Sequence, residues 1–277
     1  MIELGKVQEL EVVRLKEFGV YLSEEAGSSL SVLLPKKQVP EGTKVGDRLS
    51  VFIYKDSEDR LIATTGIPKL QVGECGALEV KDVSRIGAFL DMGLEKDLLL
   101  PFKEQSHPVS KGERCLVALY VDKSKRLAAT MKVYSHMSNE SPYHQDDLVQ
   151  GWIYEINENL GAFVAVDYKY YGLIPKKELF GDYREGDQVE CRVIKVRDDG
   201  KLDLSPRKKA HLQMNEDAET VLQALDRLNG VLPFNDKASP EIIRKEFQMS
   251  KNAFKRAVGR LLKEGRIRIT ETTIERL

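Results

Sequence analysis

The stretch Gly161-Ala162-Phe163-Val164, followed by Gly172-Leu173-Ile174-Pro175, decides the fold because it recurs in two earlier parts of the chain. The earlier copies read Phe18-Gly19-Val20-Tyr21-Leu22 with Leu33-Leu34-Pro35, and Ile86-Gly87-Ala88-Phe89-Leu90 with Leu99-Leu100-Pro101. Each copy continues with a Gly-Asp or Gly-Glu pair and closes at Arg60-Leu61, Arg126-Leu127 or Lys201-Leu202. The first glycines of the three copies, Gly19, Gly87 and Gly161, lie 68 and then 74 residues apart. This fixed order at nearly constant spacing indicates three homologous modules.

Within each module the apolar residues follow the two-residue period of β-strands. Segments such as Val51-Phe52-Ile53-Tyr54 read as short, half-buried strands, and Gly-Asp and Asp-Gly pairs mark the turns between them. About five short strands in roughly 60 residues, with a glycine where a strand coils tightly, predict a small closed barrel of the OB type. A two-sheet sandwich is the rival architecture, for which each module is short.

The last quarter of the chain changes to a helical period. Asn215, Ser239 and Ser250 are candidate helix caps, with Pro240 directly after the second. Residues 266–270 and 273–277 read as two short strands. Three helices followed by a hairpin predict a winged helix, so the chain is expected to be mainly β, with three tandem five-stranded barrels and a C-terminal α/β domain. The predicted domains are residues 1–66, 67–134, 142–208 and 213–277.

The predicted buried faces of the last two helices come from their apolar residues. The second helix is expected to bury Ile242, Ile243 and Phe247, and the third to bury a stripe at 100° per residue. That stripe consists of Phe254, Ala257, Val258, Leu261 and Leu262. The opposite side of the third helix is basic, which favours contact with nucleic acid over an ordinary solvated face of mixed charge.

Composition excludes several classes of protein. The 277 residues are 42% hydrophobic, enough for folded cores, and no apolar run approaches the roughly 20 residues that cross a bilayer. The first residues lack the pattern of a signal peptide, so a soluble, cytoplasmic protein without a membrane partner is expected. The three cysteines, Cys75, Cys115 and Cys191, lie far apart, which argues against disulfides and zinc.

The net charge of −1, from 43 basic and 44 acidic residues, would argue against a nucleic-acid partner if it were evenly spread. Two segments are locally basic, and a phosphate responds to charge within a Debye length of about 8 Å. The first segment contains Lys195, Arg197, Lys201, Arg207, Lys208 and Lys209. The second contains Lys251, Lys255, Arg256, Arg260, Lys263, Arg266 and Arg268. Binding is therefore expected to be local.

The order of motifs in each module resembles the S1-type RNA-binding domain, most closely in the third module. The resemblance implies an RNA face with two aromatic residues beside the glycine and a basic residue on a late strand. The matching residues are Phe18, Tyr21 and Arg60; Phe89 and Arg126; and Phe163 and Lys201. Trp152 and Tyr154 are expected to add outward-facing rings. Exposed rings of this kind stack on unpaired bases, although each phenylalanine could instead fill its own barrel.

Three S1-type modules followed by a winged helix resemble the conserved virulence factor B family. The resemblance implies a cytoplasmic RNA-binding regulator of gene expression whose third S1-type module and winged helix form the main basic RNA surface. The residues expected to bind RNA are Phe18, Tyr21, Arg60, Phe89, Arg126, Trp152, Tyr154, Phe163, Lys195, Arg197, Lys201, Lys251, Lys255, Arg256, Arg260, Lys263, Arg266 and Arg268.

The sequence contains no pattern typical of catalysis. It has no phosphate-binding Gly-x-x-x-x-Gly-Lys loop and no Gly-x-Ser-x-Gly, and its four histidines lack metal-ligand spacing. A non-enzyme without cofactor or metal is therefore expected, with single-stranded RNA as the partner. Two alternatives remain open: a DNA-binding transcription regulator that acts through the winged helix, and a protein-docking factor on ribosomes or an RNA-processing complex.

Overall fold

The first quarter of the chain forms a closed five-stranded barrel. A computed structural model describes residues 1–56, 58–207 and 210–277, and for residues 210–214 it describes the backbone only. The strands are β1 (Val7–Lys16), β2 (Gly19–Ser23), β3 (Val32–Pro35), β4 (Arg48–Lys55) and β5 (Leu61–Thr64). Their order around the barrel is β1-β2-β3-β5-β4, with β4 paired to β1. The predicted OB-type barrel is confirmed.

The second module repeats this strand order but is only nearly closed. Its strands are β6 (Cys75–Val83), β7 (Gly87–Leu90), β8 (Leu98–Pro101), β9 (Arg114–Val121) and β10 (Leu127–Thr130). They form a sheet in the order β10-β9-β6-β7-β8, and β8 and β10 lie side by side. The equivalent seam of the first barrel, between β3 and β5, is held at the single register pair Leu33↔Ile62.

The third module closes fully and is the one that the sequence motifs describe best. Its strands are β11 (Leu148–Asn157), β12 (Gly161–Val166), β13 (Tyr170–Pro175), β14 (Gln188–Val196) and β15 (Leu202–Ser205). The order β11-β12-β13-β15-β14 is that of the first barrel. Here the parallel seam has two register pairs, between 172–173 and 202–203.

The motif glycine is required by a close backbone contact in every module. Gly19, Gly87 and Gly161 have φ angles of +152°, +147° and +125°, which side chains other than hydrogen rarely allow. A Cβ atom at these positions would lie 2.2, 2.3 and 2.0 Å from the carbonyl oxygens of Leu34, Leu100 and Ile174. The repeated glycine is thus the residue at which β2, β7 and β12 coil against the neighbouring strand.

The barrel interiors are filled by alternating apolar side chains. Leu10, Leu22 and Leu34 are fully buried in the first barrel. Cys115 and Cys191 are buried in β9 and β14, where burial raises the pKa of each thiol to about 12. A thiol with so high a pKa stays protonated at neutral pH, so both cysteines act as small hydrophobic residues.

The C-terminal domain is a winged helix with one strand more than the sequence predicted. Its elements are α1 (Ala210–Arg227), β16 (Val231–Leu232), α2 (Pro240–Phe247), α3 (Lys251–Lys263), β17 (Ile267–Ile269) and β18 (Ile274–Arg276). The two-residue strand β16 pairs with β18 and makes a three-stranded sheet. Ser239 and Ser250 cap α2 and α3 by accepting hydrogen bonds from the N–H groups of Ile242 and Ala253, as predicted.

Three expectations for the winged helix were wrong. Asn215 does not cap α1, because the helix already begins at Ala210 and good helix formers occupy the positions before Asn215. Ile242 and Leu262 are 42% and 47% exposed instead of buried. Each lies at the margin of its apolar stripe, and the neighbouring residues Ile243 and Leu261 belong to the buried core of the domain.

The chain divides into two compact units, residues 1–140 with 165–171, and residues 141–164 with 172–277. In the second unit, Arg207 and Arg244 join the third module to the winged helix. Arg207 donates two hydrogen bonds to the buried carboxylate of Asp217 in α1, at 2.8 and 2.9 Å. Arg244 of α2 donates to the Leu179 carbonyl at 3.0 Å, and both guanidinium groups lie over the Phe180 ring.

None of the described helices has the length and apolar character of a membrane span.

We expect Gly161→Ala to destabilise the third barrel by about 2–4 kcal/mol, because the new methyl group meets the Ile174 carbonyl and the φ angle is unfavourable. Gly186→Ala is the matched control, since Gly186 also has positive φ (+93°) but open space around it. It should cost about 1 kcal/mol. Urea unfolding measures both, and equal losses would contradict the role given to the carbonyl contact.

Candidate nucleic-acid interface

Each barrel presents the same two surface positions beside the motif glycine. The residues before it, Phe18, Ile86 and Leu160, are 56%, 60% and 55% exposed. The residues two positions after it, Tyr21, Phe89 and Phe163, are half-buried. The barrels therefore share an outward face at these positions, while the side chains on it differ.

The face of the first barrel combines two rings with arginine. Phe18 meets Tyr21 edge to face with 6.2 Å between ring centroids, and the Arg14 guanidinium lies 4.3 Å above the Tyr21 ring. A bulge between Val12 and Arg14 shifts the register and brings Arg14 opposite Tyr21. Sequence reasoning missed Arg14, because strict alternation does not show where a bulge falls.

Arg60 of the first barrel, which the sequence predicts on the RNA face, is paired with Asp56. Arg60 donates to the Asp56 carboxylate at 2.8 Å from Nε and 2.7 Å from Nη2. This pair lies directly before β5, the position that the S1-type resemblance gives to a basic residue of the RNA face. Both nitrogens contact the same carboxylate oxygen, Oδ2, and Arg60 also pairs with Glu58 at 2.8 Å, so two carboxylates hold the guanidinium group.

The equivalent arginine of the second barrel has a different partner. Arg126 donates to both oxygens of Asp59, a residue of the first barrel, at 2.6 Å each. The hydrogen bond from Arg126 lowers the pKa of the Asp59 carboxyl. Asp122 instead accepts from the Ser124 hydroxyl at 2.7 Å and from the Arg126 backbone N–H at 2.9 Å. In the second barrel, an acidic residue, Asp82, lies opposite Phe89.

The third barrel carries an aromatic pair and three cations predicted to bind RNA, of which only Lys195 is without a carboxylate partner among the described residues. The rings of Tyr154 and Phe163 lie 6.1 Å apart at an angle of 38°. Lys195 is exposed and has no acidic partner among the described residues. The other two predicted cations have carboxylate partners, Arg197 with Asp203 (Nε–Oδ1 2.7 Å) and Lys201 with Asp199 (Nζ–Oδ2 3.2 Å).

Trp152 is not an outward-facing ring available for stacking. It lies on the outer side of β11 by alternation, but only 6% of its surface is exposed. Alternation shows on which side of a strand a residue lies and does not show whether that side is covered. The prediction for Trp152 was therefore wrong, whereas Tyr154 is half-buried and contacts Phe163.

Carboxylates neutralise part of the C-terminal basic cluster. Ion pairs join Arg260 to Glu264 (2.6 Å), Arg266 to Glu219 (3.3 Å) and Arg268 to Glu275 (2.6 Å). Lys251 donates to the Lys237 carbonyl at 3.3 Å. In the first basic segment, Arg207 pairs with Asp217, and Lys208 and Lys209 lie outside the described residues.

Three cations remain on the outer face of α3. Lys255, Arg256 and Lys263 are exposed and have no carboxylate partner in the part of the chain that the structure describes. Gly259 lies on the same face, and nothing stands within 4 Å of the position that its Cβ would take. Within the described residues, no group of three or more His, Cys, Asp or Glu side chains could hold a metal.

Three S1-type barrels and a winged helix define a nucleic-acid-binding regulator built of four modules. The description "S1 domain" matches residues 4–66 and 72–132, and "Virulence regulatory factor CvfB, second domain" matches residues 133–208. "CvfB-like winged helix domain" matches residues 219–275. The chain belongs to the conserved virulence factor B family, which confirms the resemblance seen in the sequence.

Individual relatives resemble the chain over nearly its whole length. The protein YitL of Bacillus subtilis (strain 168) is 34% identical over 95% of this chain and 90% of its own. Conserved virulence factor B of Staphylococcus aureus (strain N315) is 29% identical over 96% of this chain and 91% of its own. A solved multidomain protein with nucleic acid binding domains from Streptococcus pneumoniae covers 99% of this chain and 98% of its own at 24% identity, with a TM-score of 0.49.

The burial of Trp152 can be tested by fluorescence because it is the one tryptophan of the chain. We expect a blue-shifted emission and weak quenching by iodide in the folded protein, both reverting when urea unfolds it. Phe163→Trp, at a half-buried position, is the comparison: its extra emission should be quenched more strongly. Equal quenching of Trp152 before and after unfolding would contradict its burial.

Proposed function

We propose that this protein is a non-catalytic RNA-binding regulator of gene expression in the bacterial cytoplasm, and that it binds single-stranded RNA through its third barrel and winged helix. The observation that carries the proposal is the face of α3, where Lys255, Arg256 and Lys263 are exposed without carboxylate partners among the described residues. Unpaired cations on a winged-helix surface are the groups that hold phosphates.

The geometry of α3 suits a sugar-phosphate backbone. Lys255 and Lys263 are eight residues apart, which is about 12 Å along a helix, so the three cations can reach successive phosphates. Gly259 lies between them. A glycine in a helix interior costs up to about 1 kcal/mol relative to alanine, and the open space beside it lets a backbone approach the helix closely.

The third barrel supplies the groups that select single strands. Unpaired bases stack on aromatic rings with about 1–3 kcal/mol each. Tyr154 and Phe163 form a ring pair in the third barrel, and Lys195 of the same barrel is exposed. The contacts of Arg207 and Arg244 hold this barrel and the winged helix in one unit. This connection supports joint binding of one strand by both domains.

The first barrel supports a second contact with the same kind of ligand. Phe18, Tyr21, Arg14 and Arg60 place two rings and two guanidinium groups around one outer face. Arginine beside an aromatic ring adds a cation–π contribution to base stacking. The first barrel is therefore the second candidate platform for unpaired RNA.

We expect Lys255→Glu with Arg256→Glu to weaken binding to single-stranded RNA at least about tenfold at moderate salt, because two phosphate contacts become repulsive. The slope of log K against log salt should fall by about 1.4, since each contact with a single strand contributes about 0.7. Fluorescence anisotropy at several salt concentrations measures both quantities.

The matched control for that variant is Arg227→Glu with Lys245→Glu. It changes the net charge of the same domain equally at exposed positions outside α3, and RNA affinity should change far less. Competition between duplex DNA and single-stranded RNA at one salt concentration identifies the ligand. Preference for duplex DNA, or equal losses in both double variants, would contradict the proposal.

We expect Phe163→Ala to weaken binding to unstructured RNA by about 1–3 kcal/mol and to leave binding to duplex RNA nearly unchanged, because only unpaired bases can stack. Phe163→Tyr keeps the ring and should retain affinity. Urea unfolding of both variants separates stacking from packing, since Phe163 is half-buried. An equal loss with duplex and single strand would show that the ring serves the barrel alone.

A further inference from the structure

The segment that leaves the second barrel packs against the tip of the β12–β13 hairpin. This segment contains a short 3₁₀ helix, Val133–His136. Beyond it, the Ser138 N–H donates to the Lys169 carbonyl at 2.7 Å, and the Tyr171 N–H donates to the Ser138 carbonyl at 3.2 Å. The segment and the hairpin tip, residues 165–171, belong to the same compact unit. Backbone hydrogen bonds therefore fix the two stretches to each other.

Two tyrosine rings meet where these stretches touch. The Tyr171 hydroxyl donates to the Tyr134 carbonyl at 2.8 Å, and the two ring centroids lie 4.8 Å apart at an angle of 52°. Tyr171 is half-buried, whereas Tyr134 is 52% exposed. Tyr134 is thus held by its neighbour while about half of its surface stays open to solvent. A ligand that stacks on such a ring loses little free energy in ordering it.

The surface around the Tyr134–Tyr171 pair combines rings with polar groups. The larger aliphatic side chains of the two stretches, Val133, Met137 and Val166, are buried. The core of a protein interface is apolar, and the exposed part of these described stretches offers no aliphatic side chain of that size. Unpaired bases instead stack on aromatic rings and hydrogen-bond at their edges. The composition therefore favours a nucleobase over a protein as the occupant.

The charge around the pair is nearly balanced. The two stretches carry one lysine, Lys169, which is exposed, against two carboxylates, Asp167 and Glu140. Lys132, directly before the 3₁₀ helix, pairs with Glu104 at 3.7 Å. A run of phosphates would be attracted little by such a surface, whereas stacking on a ring depends little on charge. The surface therefore suits a single base with one phosphate contact.

We propose that Tyr134, backed by Tyr171, is a stacking platform for one unpaired base of single-stranded RNA, with Lys169 as the cation for an adjoining phosphate. The inference rests on the RNA binding proposed above and adds a contact outside the S1-type faces and α3. Tyr134 belongs to the connection after the second barrel and not to the repeated motif, so the repeats do not reveal it.

Tyr134→Trp in the full-length chain tests the platform, because a tryptophan that stacks on a base loses fluorescence. Leu228→Trp is the matched control, since Leu228 is 46% exposed and lies outside every contact proposed for RNA. The buried Trp152 is common to both variants. A mixed-sequence oligoribonucleotide without secondary structure should quench Tyr134→Trp and leave Leu228→Trp nearly unchanged. Equal quenching in the two variants, or none in either, would overturn the proposal.

Tyr134→Leu removes the ring and should weaken binding of the same oligoribonucleotide about tenfold. Tyr134→Phe keeps the ring and should retain the affinity. Because the position is exposed, neither substitution should change the urea unfolding midpoint much. Fluorescence anisotropy measures the affinities. Unchanged affinity in Tyr134→Leu would leave the exposed ring to a protein partner and would overturn the proposal.

Anisotropy of the unaltered protein distinguishes failure of this inference from failure of the proposed function. If the oligoribonucleotide binds and Tyr134→Trp is not quenched, the platform is wrong and the proposed function stands. If the oligoribonucleotide does not bind the unaltered protein, both are wrong. Binding accompanied by quenching that is confined to Tyr134→Trp supports the platform.

Discussion

The contact between a glycine and the opposite carbonyl group is the constraint on which all three barrels depend. At Gly19, Gly87 and Gly161 the facing carbonyl oxygen occupies the space of a side chain. A strand that coils this tightly fixes the direction of the residues around it. The position before the glycine is consequently exposed in all three copies, whether it is phenylalanine, isoleucine or leucine. The backbone sets where the face lies, and the side chains set what the face can bind.

The three faces have diverged in charge on this common backbone. The bulge residue Arg14 stands opposite Tyr21 in the first barrel, and Asp82 stands opposite Phe89 in the second. The late-strand arginines differ in partner as well, since Arg60 pairs within its barrel and Arg126 pairs with Asp59 of the neighbouring barrel. A guanidinium group orients toward a carboxylate that can accept hydrogen bonds from two of its N–H groups. The same motif residue therefore stays on the surface of its own barrel in one copy and joins two barrels in another.

The features that the sequence predicted correctly are encoded within a few residues. The predictions failed for features that depend on contacts with distant segments of the chain. The barrel strands, the serine caps at Ser239 and Ser250, and the family all follow from local patterns or their repetition. The burial of Trp152 and of Leu262 does not follow from such patterns, because it depends on which other segments pack against these side chains. The partner of Arg126 is 67 residues away in the chain, and no spacing rule connects them. The aromatic positions were thus predictable, whereas the accessibility of each ring and the pairing of each cation were not.

Ion pairs with carboxylates reduce the positive charge that the basic residues present to a ligand. An arginine within hydrogen-bond distance of a carboxylate presents a dipole to its surroundings, and the field of a dipole falls with distance faster than that of a charge. Arg260, Arg266 and Arg268 are in this state, so the basic segment of α3 and the wing acts with far fewer charges than its composition shows. For the RNA binding that we propose, so few phosphate contacts would give only weak electrostatic affinity at physiological salt. The proposal therefore requires stacking on rings, which salt screens little, to supply a large share of the binding free energy, and it combines the aromatic faces with the few unpaired cations for this reason.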